Sequence, residues 1–216
     1  MSEQFYISRT AGPSEDPLKV FGAILTRANT LWKHWTYPFA GFGKNVSIHH
    51  RCDISRTVSN RIQIGNHVYI ANGSWLTSPQ SGLGESPSII LRDGCKIGRR
   101  CTLSGKNHVE LEQDVLLGPS VLIMDHNHEY SDIERPIYEQ GVTPGGRIVI
   151  ERNCWLGYGA TILCNQGELR IGRNSIVGAG SVVTRSFPPF SIIAGSPAIL
   201  LKTFDQHTKQ WVKPNA

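Results

Sequence analysis

The sequence predicts an all-β protein: a left-handed parallel β-helix of about six triangular coils, with an N-terminal helix and a short C-terminal helix. Three observations carry that expectation. Leu, Ile or Val returns at a six-residue beat in five runs of three: Ile64, Ile70, Leu76; Leu91, Ile97, Leu103; Leu111, Leu117, Ile123; Ile150, Leu156, Ile162; and Ile171, Val177, Val183. The next residue is often tiny, as at Gly65, Ala71, Gly98, Gly118, Gly157, Gly172 and Gly178. Four positions after the aliphatic stands a small or β-branched residue, among them Val68, Ser74, Cys95, Cys101, Val115, Cys154, Ala160 and Ser175. A period of six matches neither an α-helix nor a half-buried strand. It matches a solenoid in which each unit is a short strand plus a turn and three units close a coil, an exception to the right-handed crossover rule. The aliphatics then stack inward, and the glycines let the corner turn without a Cβ clash.

The elements follow in chain order. Residues 1–45 hold a polar tail and a helix. Met1 to Glu15 has no leader-like apolar core, and Asp16-Pro17 reads as an N-cap followed by proline at the first helical position. Leu18, Phe21, Ile24, Leu25, Leu31, Trp32 and Trp35 then recur at helical spacing, with Lys19, Arg27, Lys33 and His34 between them. Such a helix either packs on the first coil or lies on a membrane surface through residues 17–35; it is too charged to span one. Residues 46–202 are the β-helix domain, whose first coil, 46–63, has no readable register. Residues 203–216 form a tail with a helix expected over 205–212.

The interruptions of the beat carry the functional information. Between runs the spacing is 15, 8, 27 and 9 residues, so every insertion follows the third unit of a coil. Segments 77–90, 104–110, 124–149 and 163–170 should therefore emerge along one vertical edge, where a rigid scaffold can present a site. The 124–149 insertion opens with Asp125-His126-Asn127-His128-Glu129-Tyr130, the densest ionisable cluster in the chain. A neutral imidazole suits a general base near pH 7, and a neighbouring carboxylate would fix its tautomer. A second stretch, Cys154-Trp155-Leu156-Gly157-Tyr158-Gly159-Ala160, sets an outward tryptophan beside glycines that expose backbone N–H groups able to polarise a carbonyl. A third, Gly178-Ala179-Gly180-Ser181-Val182-Val183-Thr184-Arg185, joins close backbone approach to one fixed positive charge.

Composition narrows the classes. The chain of 216 residues suits one domain with short terminal additions, and its net charge of +5 favours acidic partners such as a phosphorylated ligand. No Lys/Arg run interleaved with aromatics appears, which argues against nucleic acid. The five cysteines include no CxxC pair, and Cys95, Cys101 and Cys154 fall in the small-residue slot as packing residues. That usage indicates a reducing compartment, the cytoplasm. Cys164 lies outside the slot, with no partner that would make it a nucleophile.

The three stretches, with Pro188-Pro189 and Ala194-Gly195-Ser196-Pro197-Ala198 after them, resemble the hexapeptide-repeat acyltransferases of the galactoside, maltose and nodulation-factor acetyltransferase group. They look closest to the O-acetyltransferases of capsule and lipopolysaccharide biosynthesis. The resemblance implies direct acetyl transfer from acetyl-CoA to a hydroxyl of a polysaccharide, lipid-linked or small saccharide. It implies a histidine base, no metal, and a homotrimer with sites between neighbours. The family's base falls on His128 by an ungapped match, the preferred one, or on His126 by a gapped match, with Asp125 beside them. The oxyanion donor falls on the backbone N–H of Tyr158, and Trp155 would flank the pantetheine arm. Gly157 and Ala160 belong to the same cofactor-facing stretch, Ala179 would meet the cofactor by its main chain, and Thr184 and Arg185 would lie near its nucleotide end. Lys202 keeps the later basic position of the family, whereas Ile199 stands where Lys or Arg is usual and Gln166-Gly167-Glu168 is an addition. Lipid-linked acceptors would place the protein at the inner face of the membrane. Two other readings stand beside this one: acetylation of a small amine, serine or antibiotic, and a zinc-dependent hydratase of the γ carbonic anhydrase kind using His108, His126 and His128.

Overall fold

The computed structural model describes residues 17–79 and 86–214. The expected polar tail, the Asp16 cap and the middle of the 77–90 insertion lie outside the described residues. The chain winds as the expected left-handed parallel β-helix of six coils. Face A stacks Gly41–Phe42, Ile62–Ile64, Ile89–Leu91, His108–Leu111, Arg147–Ile150 and Glu168–Ile171. Face B stacks Ser47–Ile48, Tyr69–Ile70, Lys96–Ile97, Leu116–Leu117, Trp155–Leu156 and Ile176–Val177. Face C stacks Asp53–Ile54, Trp75–Thr77, Thr102–Ser104, Leu122–Met124, Thr161–Leu163 and Val182–Val183.

Register follows the six-residue beat. On face B, Ile70 pairs with Ile97, Ile97 with Leu117, Leu117 with Leu156 and Leu156 with Val177. All fifteen aliphatics of the repeat are buried, each at 2% exposure or less. The small slot is buried too, and its thiols and hydroxyls bond to the next coil: Cys95 Sγ donates to Glu112 O at 3.0 Å and Ser74 Oγ to Gly98 O at 2.9 Å. The coil that had no readable register begins at Gly41. There Phe42 occupies the aliphatic slot beneath Ile64, and Ile48 and Ile54 lie beneath Ile70 and Leu76.

The glycines after the aliphatics serve a different purpose from the turn itself. A Cβ at Gly98 would lie 2.5 Å from Gly118 O, and one at Gly157 would lie 2.7 Å from Ala179 N, so the stacked coils leave no room for a side chain. The left-handed backbone comes two residues later, at Gly73, Arg100, Ser120, Gly159 and Gly180.

Every insertion emerges where face C passes to face A, as the spacing predicts. Two ends depart from a simple prism. The helix α1, Pro17–Thr36, sits on coil 1 through its polar side. Thr30 Oγ1 donates to Ile48 O and accepts from Ile48 N–H, Asn29 Nδ2 donates to Ile48 O, and Lys33 Nζ donates to Ile54 O. These side chains occupy the open hydrogen-bonding edge of the first coil. At the other end the expected helix over 205–212 is replaced by strands. Ser191–Gly195 extends face B, Ala198–Asp205 pairs with it antiparallel, and Gln210–Val212 pairs with that in turn. Asp205, which resembles a helix N-cap, closes a hairpin turn by accepting from the N–H groups of His207 and Thr208. Phe204 packs edge-on against Trp211 at 5.3 Å and commits the segment to strand.

Candidate active site

The longest insertion leaves face C after Met124 and returns to face A at Arg147. It is a hairpin arm: His128 bridges Val142 antiparallel, Thr143 N–H donates to Asn127 O, and Gly146 N–H donates to Asp125 O. At its root Asp125 is fully buried. Its carboxylate accepts the N–H groups of Lys106 at 2.7 Å, Asn107 at 2.7 Å and His108 at 2.8 Å. It also holds His126 Nδ1 at 2.8 Å. A carboxylate can only accept, so Nδ1 carries a proton, and in the neutral ring the lone pair lies on Nε2. His126 is 8% exposed, and the Nε2 atom has no partner among the described residues. That is the arrangement of an oriented base.

His128 differs. It is exposed, its main-chain N–H is held by Asn127 Oδ1, and its ring makes no hydrogen bond among the described residues. The cradle formed by Lys106, Asn107 and His108 escaped the sequence reading. The available signal was the short 104–110 insertion, which lies one coil below on the same edge. His108, the proposed zinc ligand, turns its Nε2 to Glu110 at 3.0 Å, and among the described residues no three His, Cys, Asp or Glu side chains gather for a metal ion.

The cofactor-binding candidates lie elsewhere on the prism. Trp155 is half-exposed on face B, between Leu116 and Ile176 of the adjoining coils. Gly157, Tyr158 and Ala160 form the turn from face B to face C, in which Ala160 N–H donates to Gly157 O and Gly159 has φ +65°. Tyr158 and Ala179 occupy the same turn position in successive coils, and among the described residues neither N–H donates to any acceptor. Pro119 holds that position one coil below. Gly157 and Ala160 are buried, so they offer the ligand no side chain. Thr184 and Arg185 are exposed on the C–A edge, the Arg185 guanidinium 5.2 Å over the Phe187 ring. Lys202 is exposed on the antiparallel strand that extends face B.

A single prism therefore separates its two sets of candidates. His126 stands on the C–A edge at coil 4, whereas Tyr158 and Ala179 stand on the B–C corner at coils 5 and 6, with face C between. The buried thiols are poor nucleophiles: burial pushes Cys95 and Cys154 up to about 12 and Cys52 up to about 11. Cys164 is likewise buried, its Sγ donating to Gln166 O at 3.2 Å.

Comparison with known proteins agrees with the resemblance read from the sequence. Residues 147–185 match the protein family described as hexapeptide repeat of succinyl-transferase. The putative lipopolysaccharide biosynthesis O-acetyl transferase WbbJ of Escherichia coli K12 is 32% identical over 131 residues, 58% of this chain and 65% of that protein. The galactoside O-acetyltransferase of Lactococcus lactis is 32% identical over 116 residues, 50% of this chain and 53% of that protein. The chain thus spans between about half and two thirds of these relatives' lengths. Among solved structures, AntD, an N-acyltransferase from Bacillus cereus in complex with dTDP and 3-hydroxybutyryl-CoA, superposes with a TM-score of 0.65 at 21% identity. That likeness covers 84% of this chain and 90% of AntD, and it concerns the fold.

Proposed function

We propose that the chain is an acetyl-CoA-dependent O-acetyltransferase of saccharide hydroxyls, working as a homotrimer in the cytoplasm. The observation that carries the reading is the buried Asp125–His126 pair at the root of the longest insertion. The relatives named O-acetyltransferases supply the reaction class. A base of this kind needs no covalent enzyme intermediate, in keeping with cysteines that are buried.

The chemistry is a direct transfer. His126 Nε2 takes the proton of the acceptor hydroxyl as its oxygen attacks the thioester carbonyl carbon. The charge that develops on the carbonyl oxygen is met by the free Tyr158 N–H. The C–S bond then breaks, and the departing CoA sulfur takes the proton back from the imidazolium. His126 of one protomer would meet Trp155 and Tyr158 of its neighbour, because face C divides them within a single prism. The pantetheine arm would run along the B–C corner past Ala179, with Thr184, Arg185 and Lys202 available to its phosphates. His128 would stand over the acceptor from the exposed arm. A saccharide carried on a lipid is one acceptor class that fits an open edge of this kind.

The test is an acceptor panel with labelled acetyl-CoA, containing free saccharides, lipid-linked oligosaccharides, amino sugars, serine and aminoglycosides. Label should appear as a base-labile ester on a saccharide. Label found only as a stable amide, or on no acceptor at all, would overturn the assignment.

A further inference from the structure

α1 is amphipathic in an unusual sense: it is fastened to the protein by its polar side. Thr26, Asn29, Thr30 and Lys33 face coil 1, and Lys33 is 6% exposed. At about 100° per residue, Phe21, Ile24, Leu25, Leu31, Trp32 and Trp35 fall within one arc of about 120° on the opposite side. All six are exposed, Trp32 at 65% and Trp35 at 80%. An apolar arc of this size on an end cap calls for an occupant.

Charge identifies the occupant. Residues 17–61 carry seven Lys or Arg against one Asp, residues 62–216 fourteen against thirteen, and residues 1–16 one against three. The positive charge of the chain is thus concentrated at the α1 end. Arg27, Lys44, Arg51 and Arg56 are exposed there, and α1 contains no acidic residue. A second copy seated on the arc would bring like charges together. An anionic bilayer satisfies both features, since aromatic side chains enter the acyl boundary while the basic rim meets the headgroups. Among the described residues no helix is long and apolar enough to cross a membrane, so the contact is interfacial.

We infer that α1 docks the protein on an anionic phospholipid surface through Phe21, Ile24, Trp32 and Trp35, with coil 1 supplying the basic rim. The helix caps coil 1 and its outer side faces away from the prism, so docking leaves the C–A edge free at the side. The inference does not depend on the acyl-transfer reading.

Flotation of the purified full chain with vesicles tests it. The protein should float with vesicles of phosphatidylcholine and phosphatidylglycerol in equal parts, remain below with phosphatidylcholine alone, and detach as salt is raised. The double variant Trp32→Ser/Trp35→Ser should lower the bound fraction by about tenfold or more. Both indoles are mostly exposed, and among the described residues the one ring contact they make is that of Trp35 with His34 of the same helix, so the variant's circular dichroism and sedimentation mass should match the parent. Equal flotation of parent and variant, or no flotation of the parent, would overturn the inference. So would a smaller sedimentation mass for the variant, which would mean that a second copy covers the arc.

Discussion

The corner from face B to face C turns in four residues at every level, while the edge from face C to face A changes length from coil to coil. The regular corner repeats one backbone shape, so Pro119, Tyr158 and Ala179 stand in a column with nothing to distinguish them but side chain and N–H. The variable edge is where a side chain can be unique, and there Asp125 and His126 are held by a turn from the coil below. Repetition suits a long, thin ligand lying across several coils. Irregularity suits one proton transfer at one place. The two kinds of surface lie on different edges, so the proposed site draws one from each of two chains.

The largest expected effect lies on the irregular edge. His126→Ala should lower kcat of the folded protein by about 10²- to 10⁴-fold, as expected for loss of a general base. His128→Ala should leave kcat near the parent value, and steady-state kinetics on the two variants would expose a wrong choice between them. On the regular side the cost appears in stability. Leu156→Ala should destabilise by about 2–5 kcal/mol in urea unfolding. Ile133→Ala at the tip of the arm, 91% exposed, should stay within about 0.5 kcal/mol.

Smaller effects sharpen the contrast. Asp125→Asn removes the carboxylate charge behind the imidazolium and sets an amide NH2 against the N–H donors of the cradle; loss of a charge-assisted bond, about 1.5–3 kcal/mol, should lower kcat about tenfold to a hundredfold. A further small effect concerns Glu110 on face A. Burial alone would raise its carboxyl, but hydrogen bonds from Arg92 and His108 outweigh that and hold it below the usual range. A depressed carboxyl stabilises the fold above its unfolded value and loses that contribution as pH falls through the folded one. With Arg92 half-exposed, Glu110→Gln should cost less than about 1 kcal/mol at neutral pH, and the difference from the parent should vanish in acid.

The same contrast explains what could be read from the chain. The aliphatic columns and the single edge of insertions are legible because a period of six fixes both. Coil 1 was hidden because Phe42 fills the aliphatic slot and no glycine follows Ile48 or Ile54. The seating of α1 was half legible: spacing shows which face is apolar, but not that Thr30 and Lys33 would bond the open edge of coil 1. Counting positions along the repeat favours His128. His126 gains its standing from backbone N–H groups 17 to 19 residues before Asp125, which no local pattern announces. The C-terminal hairpin is not legible because an aspartate followed by two free N–H groups caps a turn as readily as a helix.

The central claim, that one active site needs two protomers, has a direct test in mixed assemblies. Tyr158→Pro deletes the free N–H at a turn position that Pro119 already fills one coil below, so the corner should keep its shape. His126→Ala and Tyr158→Pro homo-oligomers should each keep no more than about a hundredth of the parent activity. Co-expressed and purified together through separate tags, they should regain acetyl transfer, because some interfaces then pair an intact His126 with an intact Tyr158. Failure of the mixed assembly to regain activity, with both chains present and folded, would contradict the shared site.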